Sequence, residues 1–105
     1  MKTTTKLFFT AIITLIFISS ADAQDWANLT RFKEDNAKIG MPRTCDDRVV
    51  FMGNSITQGW IEKVPKFFEN RPYINRGISG QTTPQMLVRF RQDVINLYPK
   101  VVVIL

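Results

Sequence analysis

Between Arg48 and Leu105 short apolar runs alternate with longer amphipathic ones, and this alternation constrains the fold more than any other feature of the chain. Arg48 to Met52 (RVVFM) is β-branched and aromatic and stops at Gly53, the pattern of a strand buried on both faces as in a parallel sheet. Tyr73-Ile74-Asn75 can form a second strand, and Lys100 to Leu105 (KVVVIL) reads as a third, fully buried one. Between the first two, Trp60, Ile61, Val64, Phe67 and Phe68 fall at near-helical spacing, with Pro65 breaking the run and starting a short helix at its first position. Between the second and third, Thr83 is expected to cap a helix that opens with Pro84. In it Met86, Leu87, Phe90, Val94 and Leu97 make an apolar stripe, while Gln85, Arg89, Gln92, Asp93 and Asn96 are expected to face water. Pro99 ends that helix.

The order strand, helix, strand, helix, strand predicts an α/β fold with a parallel sheet and helices on both faces. Three strands are too few to finish such a sheet, and an apolar strand left at an edge exposes unpaired backbone groups. The chain is therefore expected to be the front part of a larger domain, truncated after the third strand.

Two segments precede that domain. Residues 24–47 form a leader in which Trp26, Leu29, Phe32 and Ile39 lie at loosely helical spacing before Gly40 and Pro42. Residues 1–23 have the layout of a signal peptide: two lysines before residue 7, the apolar run Leu7 to Ile18, and Ala21-Asp22-Ala23. Cleavage is expected after Ala23, which implies a secreted or periplasmic protein. The apolar run is shorter than the roughly 20 residues a spanning helix needs, so no membrane span is expected after cleavage. Asn28-Leu29-Thr30 fits a glycosylation sequon, a short motif that carries little weight.

Several function classes drop out. Fourteen basic against nine acidic residues give a mild net charge of +5, and the basic positions are scattered rather than interleaved with aromatics, so nucleic acid is not indicated as a partner. Cys45 is the single cysteine, which excludes an internal disulfide, and without histidine no zinc site can be completed. No metal and no cofactor are expected. Nearly every serine or cysteine hydrolase needs an imidazole base, so any such mechanism must draw its histidine from outside these 105 residues.

In open α/β sheets the ligand site lies beyond the carboxyl ends of the strands, here Gly53 to Gly59 and Arg76 to Thr82. Gly53-Asn54-Ser55-Ile56-Thr57 puts a serine directly past a buried strand, where free N–H groups can stabilise an anion. Taken alone, Ser55 or Thr57 is equally suited to capping a helix. In the second loop, Gly77 and Gly80 allow a close approach to a ligand. Neither loop holds the glycine-x-serine-x-glycine nucleophile elbow, and the chain has no glycine-x-glycine-x-x-glycine or P-loop pattern for a nucleotide.

VVFMGNSITQGW resembles the first sequence block of the SGNH (GDSL-like) hydrolases, and NRGISGQTTPQMLVRF is similar to their second. The resemblance covers Arg48 to Leu105 and implies a three-layer α/β/α, flavodoxin-like fold. It implies that Ser55 is the nucleophile and that the N–H groups of Ser55 and Gly80 share the oxyanion hole, with Ser79 structural. The family's third block, with the asparagine of the oxyanion hole, would begin after Leu105, and its aspartate-x-x-histidine block is missing from the chain. Asn54 replaces the family's usual aspartate, putting a neutral amide where a carboxylate would accept hydrogen bonds. The activity implied is that of a serine esterase or acylhydrolase acting on a small-molecule or glycan ester, such as an O-acetylated carbohydrate or a lipid ester. Trp60 is the one nearby aromatic, placed equally for substrate or core. The competing expectation is a non-catalytic exported binding protein on the same fold.

Overall fold

The structure is a computed structural model that describes residues 3–6 and 24–105. The expected signal peptide and its cleavage site thus lie outside the described residues, save for 3–6. Three strands, β1 (Val49–Gly53), β2 (Tyr73–Gly77) and β3 (Val101–Ile104), form one parallel sheet in the order β2-β1-β3. Helix α1 (Lys33–Ile39) precedes β1, α2 (Ser55–Lys63) leads from β1 toward β2, and α3 (Thr83–Asp93) leads from β2 toward β3. Short 3₁₀ turns at Pro65–Phe67 and Ile95–Leu97 complete the two connections, the first beginning on the proline expected to start it.

The pleat of β1 sorts the core into two halves. Val50 and Met52 point to one face and pack with Val94 and Leu97, with Ile39, Ile74, Met86 and Phe90 around them. Phe51 points to the other, where its ring meets Trp60 at 5.2 Å, Phe67 at 5.9 Å, and Phe68 and Tyr73 at 5.5 Å, all edge to face. Each such pair adds about 0.5–1.5 kcal/mol beyond the area it buries. Helix α2 thus covers one face of the sheet and α3 the other. Trp60, half-buried, also stacks on Phe67 at 4.7 Å and so packs against the aromatic core.

The leader is tied to the domain by polar contacts. The side-chain amides of Gln81, Gln85 and Gln92 donate to the carbonyls of Ala27, Trp26 and Leu29 at 2.7, 2.9 and 2.5 Å. Asp25 accepts the N–H groups of Thr30 and Leu29, and these bonds hold its carboxyl below the usual carboxylate range. Helix α1 ends where expected, with Gly40 at φ +58° and its N–H bonded to Asn36.

Several local expectations need correction. Helix α2 begins at Ser55, so Ser55 to Gly59 are helical rather than loop. Strand β2 runs on to Gly77, because Arg76 and Gly77 pair with Met52 and Gly53. The cap of α3 is Thr82, whose N–H and hydroxyl both reach Gln85 Oε1, at 2.8 and 3.1 Å. Leu87 is 73% exposed, whereas Arg89 and Asp93, expected in water, are fully buried. Strand β3 is exposed along most of its length, since no described element covers it on the side away from β1.

Candidate active site

The strand order points to a candidate site. From β1 the chain crosses one way to β2 and, after it, back past β1 to β3, so the carboxyl end of β1 is where the two crossovers diverge. A crevice opens at such a switch point. Asn54 follows β1 at once and caps α2, its Oδ1 accepting the Ile56 N–H at 3.4 Å. Ser55 is the first helical residue and is exposed. Ser55 thus lies in the first turn of α2, a turn whose N–H groups have no intrahelical partners. Because the cap needs only an acceptor oxygen, the amide of Asn54 does the work a carboxylate would do there.

Two glycines let α2 come this close to the sheet. A Cβ on Gly53 would lie 2.1 Å from Thr57 Oγ1, and one on Gly77 would lie 2.2 Å from Gln58 N. The two residues are register partners at the carboxyl ends of β1 and β2. Asn75 reinforces the approach, donating to Thr57 O at 2.7 Å and accepting the Gly77 N–H at 2.9 Å. Thr57 is fully buried, and its hydroxyl has no hydrogen-bond partner among the described residues.

The second loop is anchored against this same helix. The Ile78 N–H donates to Gly53 O at 3.1 Å, and the Ser79 N–H donates to Gln58 Oε1 at 2.8 Å. Gln58 lies one turn after Ser55, so this bond holds the loop beside the start of α2. Gly80 follows at φ +77°, exposed, with open space where a Cβ would stand. That conformation belongs to glycine, and it leaves the Gly80 N–H without an acceptor among the described residues. Ser55 and Gly80 thus sit on two adjacent strand ends, while Ser79 contributes its main chain to fixing the loop.

Beneath both loops lies a buried polar network. Arg89, fully buried on α3, donates to Gln81 Oε1 at 2.5 Å, Arg76 O at 2.8 Å, Gly53 O at 3.2 Å and Asp93 Oδ2 at 3.2 Å. Asp93 also accepts from Asn36 Nδ2 at 2.8 Å. Arg76, nearly as buried, donates to Asn36 Oδ1 and to Asp35, both at 2.8 Å, and lies over the ring of Phe32 at 4.5 Å. Burial pulls both guanidinium groups down from their usual pKa, and Asp35 and Asp93 pull them back up. An arginine stays charged under such conditions.

Spacing offered a signal for this network that side-chain polarity hid. Arg89 lies three positions after Met86 and Asp93 three after Phe90, on the same helical arc as those core residues. A shallow groove beside Ser55 is lined by Ile56, Gly59, Trp60, Lys63 and Val64. Among the described residues no three histidine, cysteine, aspartate or glutamate side chains converge as metal ligands. Cys45 is free and exposed.

No protein-family model matches the sequence, and no curated protein does. Solved structures do. The chain is similar to a Bacteroides fragilis protein provisionally named an acylhydrolase, with 57% identity and a TM-score of 0.75 over 78% of this chain and 39% of that one. It is also similar to a GDSL-like lipase of Bacteroides thetaiotaomicron, with 55% identity and a TM-score of 0.71 over 74% of this chain and 38% of that one. The chain therefore spans about two-fifths of the length of the structures it matches.

Proposed function

The chain belongs to the SGNH, or GDSL-like, hydrolase family, and from that premise we propose that it carries the nucleophile and part of the oxyanion hole of an exported serine esterase. The observation that carries the reading is the pairing of an exposed Ser55 at the start of α2 with Gly80, whose left-handed turn frees its N–H, on the neighbouring strand end. In this reading Ser55 Oγ attacks the carbonyl carbon of an ester as its proton passes to a histidine supplied from outside these 105 residues. The N–H groups of Ser55 and Gly80 hold the oxyanion that forms. The oxyanion collapses, the alcohol leaves with the proton, and water hydrolyses the acyl-serine to free acid and Ser55.

The substrates we propose are carboxylic esters met outside the cytoplasm, O-acetylated carbohydrates or lipid esters, because the first 23 residues read as an export signal cleaved after Ala23. Domain organisation follows the same reading: residues 24–47 a leader and 48–105 the front of the catalytic domain. Among the described residues no helix is long and apolar enough to cross a membrane.

The test compares the complete protein with residues 24–105 alone on p-nitrophenyl acetate. The complete protein is expected to turn over and the fragment to show no measurable rate, because losing a triad base costs about 10⁴- to 10⁶-fold. Turnover by the fragment would remove the external histidine from the account. An inactive complete protein that binds the ester would favour the non-catalytic alternative.

A further inference from the structure

We propose that Arg89 is a positioning residue, holding Ser55 and Gly80 in fixed register so that its loss is read in turnover rather than in substrate affinity. This rests on the esterase reading above and assigns Arg89 a part in it. Arg89 sits on the face of α3 that Met86, Phe90 and Val94 fill with apolar side chains. An apolar residue would pack there without the cost of burying a guanidinium. What a guanidinium adds is its set of bonds. Gly53 O lies two residues before Ser55, Arg76 O four residues before Gly80, and Gln81 directly follows Gly80. One side chain thus grips the chain just before the nucleophile and on both sides of Gly80.

That grip matters because strand pairing stops there: Gly53 and Gly77 are the last partners of the β1 and β2 ladder. Beyond them the loops are joined by Ile78 to Gly53 and Ser79 to Gln58, and from below by Arg89. The planar fork of a guanidinium fixes the spacing of its acceptors, which the single ammonium of a lysine does not. Asp93 balances the charge and is held in turn by Asn36 of α1, so the leader closes the network from outside. None of these contacts faces the groove beside Ser55. The expected consequence is specific to the transition state, since a small shift of the Gly80 N–H relative to Ser55 weakens the oxyanion contact and leaves substrate contacts in place.

The experiment uses the complete protein with Arg89→Lys and the milder Gln81→Met, measuring kcat and KM on p-nitrophenyl acetate beside thermal midpoints. Arg89→Lys is expected to lower kcat by about 10²-fold, with KM within about twofold of wild type. Gln81→Met is expected to lower kcat about tenfold in the same pattern. The rate at which a fluorophosphonate modifies Ser55 should fall in parallel. Folded variants with wild-type kcat, or a loss carried wholly by KM, would overturn the role. If Arg89→Lys does not fold, Gln81→Met decides by the same criterion. A wild-type protein that neither hydrolyses the ester nor reacts with the probe overturns the esterase reading and this role with it. Active wild type beside unaffected variants overturns the role of Arg89 alone.

Discussion

In the complete protein, Ser55→Ala is expected to lower ester turnover by about 10⁴- to 10⁶-fold, while Ser79→Ala stays within about threefold of wild type. The contrast follows from what each serine supplies. Ser55 is an exposed residue at the head of α2, just past the buried central strand. Ser79 is also exposed, but its main-chain N–H, not its side chain, bonds Gln58, and alanine keeps that bond. Unfolding is not expected to blur the comparison. The cap of α2 is Asn54 rather than Ser55, and alanine is well tolerated at a first helical position. Steady-state rates on a p-nitrophenyl ester, with circular dichroism of each variant, check the expectation. A silent Ser55→Ala and an inactivating Ser79→Ala would exchange the roles of the two residues.

Gly77→Ala is expected to destabilise the fold by about 3 kcal/mol or more, the upper end of what overpacking costs. Its Cβ would lie 2.2 Å from Gln58 N, 2.7 Å from Thr57 C and 2.8 Å from Gln58 Cα. All three atoms are backbone, so no rotamer change relieves the clash, and α2 has to move away from the sheet. Gly59→Ala is the control. It lies in the same helix with nothing within 4 Å of the added carbon, and it is expected to raise stability by about 0.4–1 kcal/mol. Urea midpoints of the two variants in the complete protein measure the difference. Equal midpoints would mean that α2 does not press on the end of β2 as described.

The sequence exposes the α/β order because its signal is local. RVVFM, YIN and KVVVIL are short, apolar and bounded by turn residues, and all three are strands. Pro65 marks the start of a 3₁₀ turn for an equally local reason, its fixed φ. The start of α2 carries a weaker signal. Gly59 suggests a loop boundary, yet the Asn54 cap starts the helix four residues earlier, and Gly59 costs it only a weak propensity.

The polar network is masked for a different reason. Arg89 and Asp93 are charged, and charge is ordinarily evidence of a wet face. Here each is paired with the other, and their remaining groups meet carbonyls and amides contributed by residues as distant as Gly53 and Asn36. No single segment encodes those partners. The exposure of Leu87 is the reciprocal case, an apolar residue that lies off the arc shared by Met86, Arg89, Phe90 and Asp93. At the candidate site the sequence resemblance points to Ser55 and Gly80, while the fixing of the loops around them by Gln58, Asn75 and Arg89 is not legible in the sequence.

Covalent capture tests whether Ser55 is the residue that attacks the ester. The complete protein is treated with a fluorophosphonate, digested, and searched by mass spectrometry for the modified residue. The adduct is predicted on the peptide that carries Ser55, with loss of ester hydrolysis in proportion to labelling. An adduct on Ser79, or full inhibition with Ser55 unmodified, would contradict it.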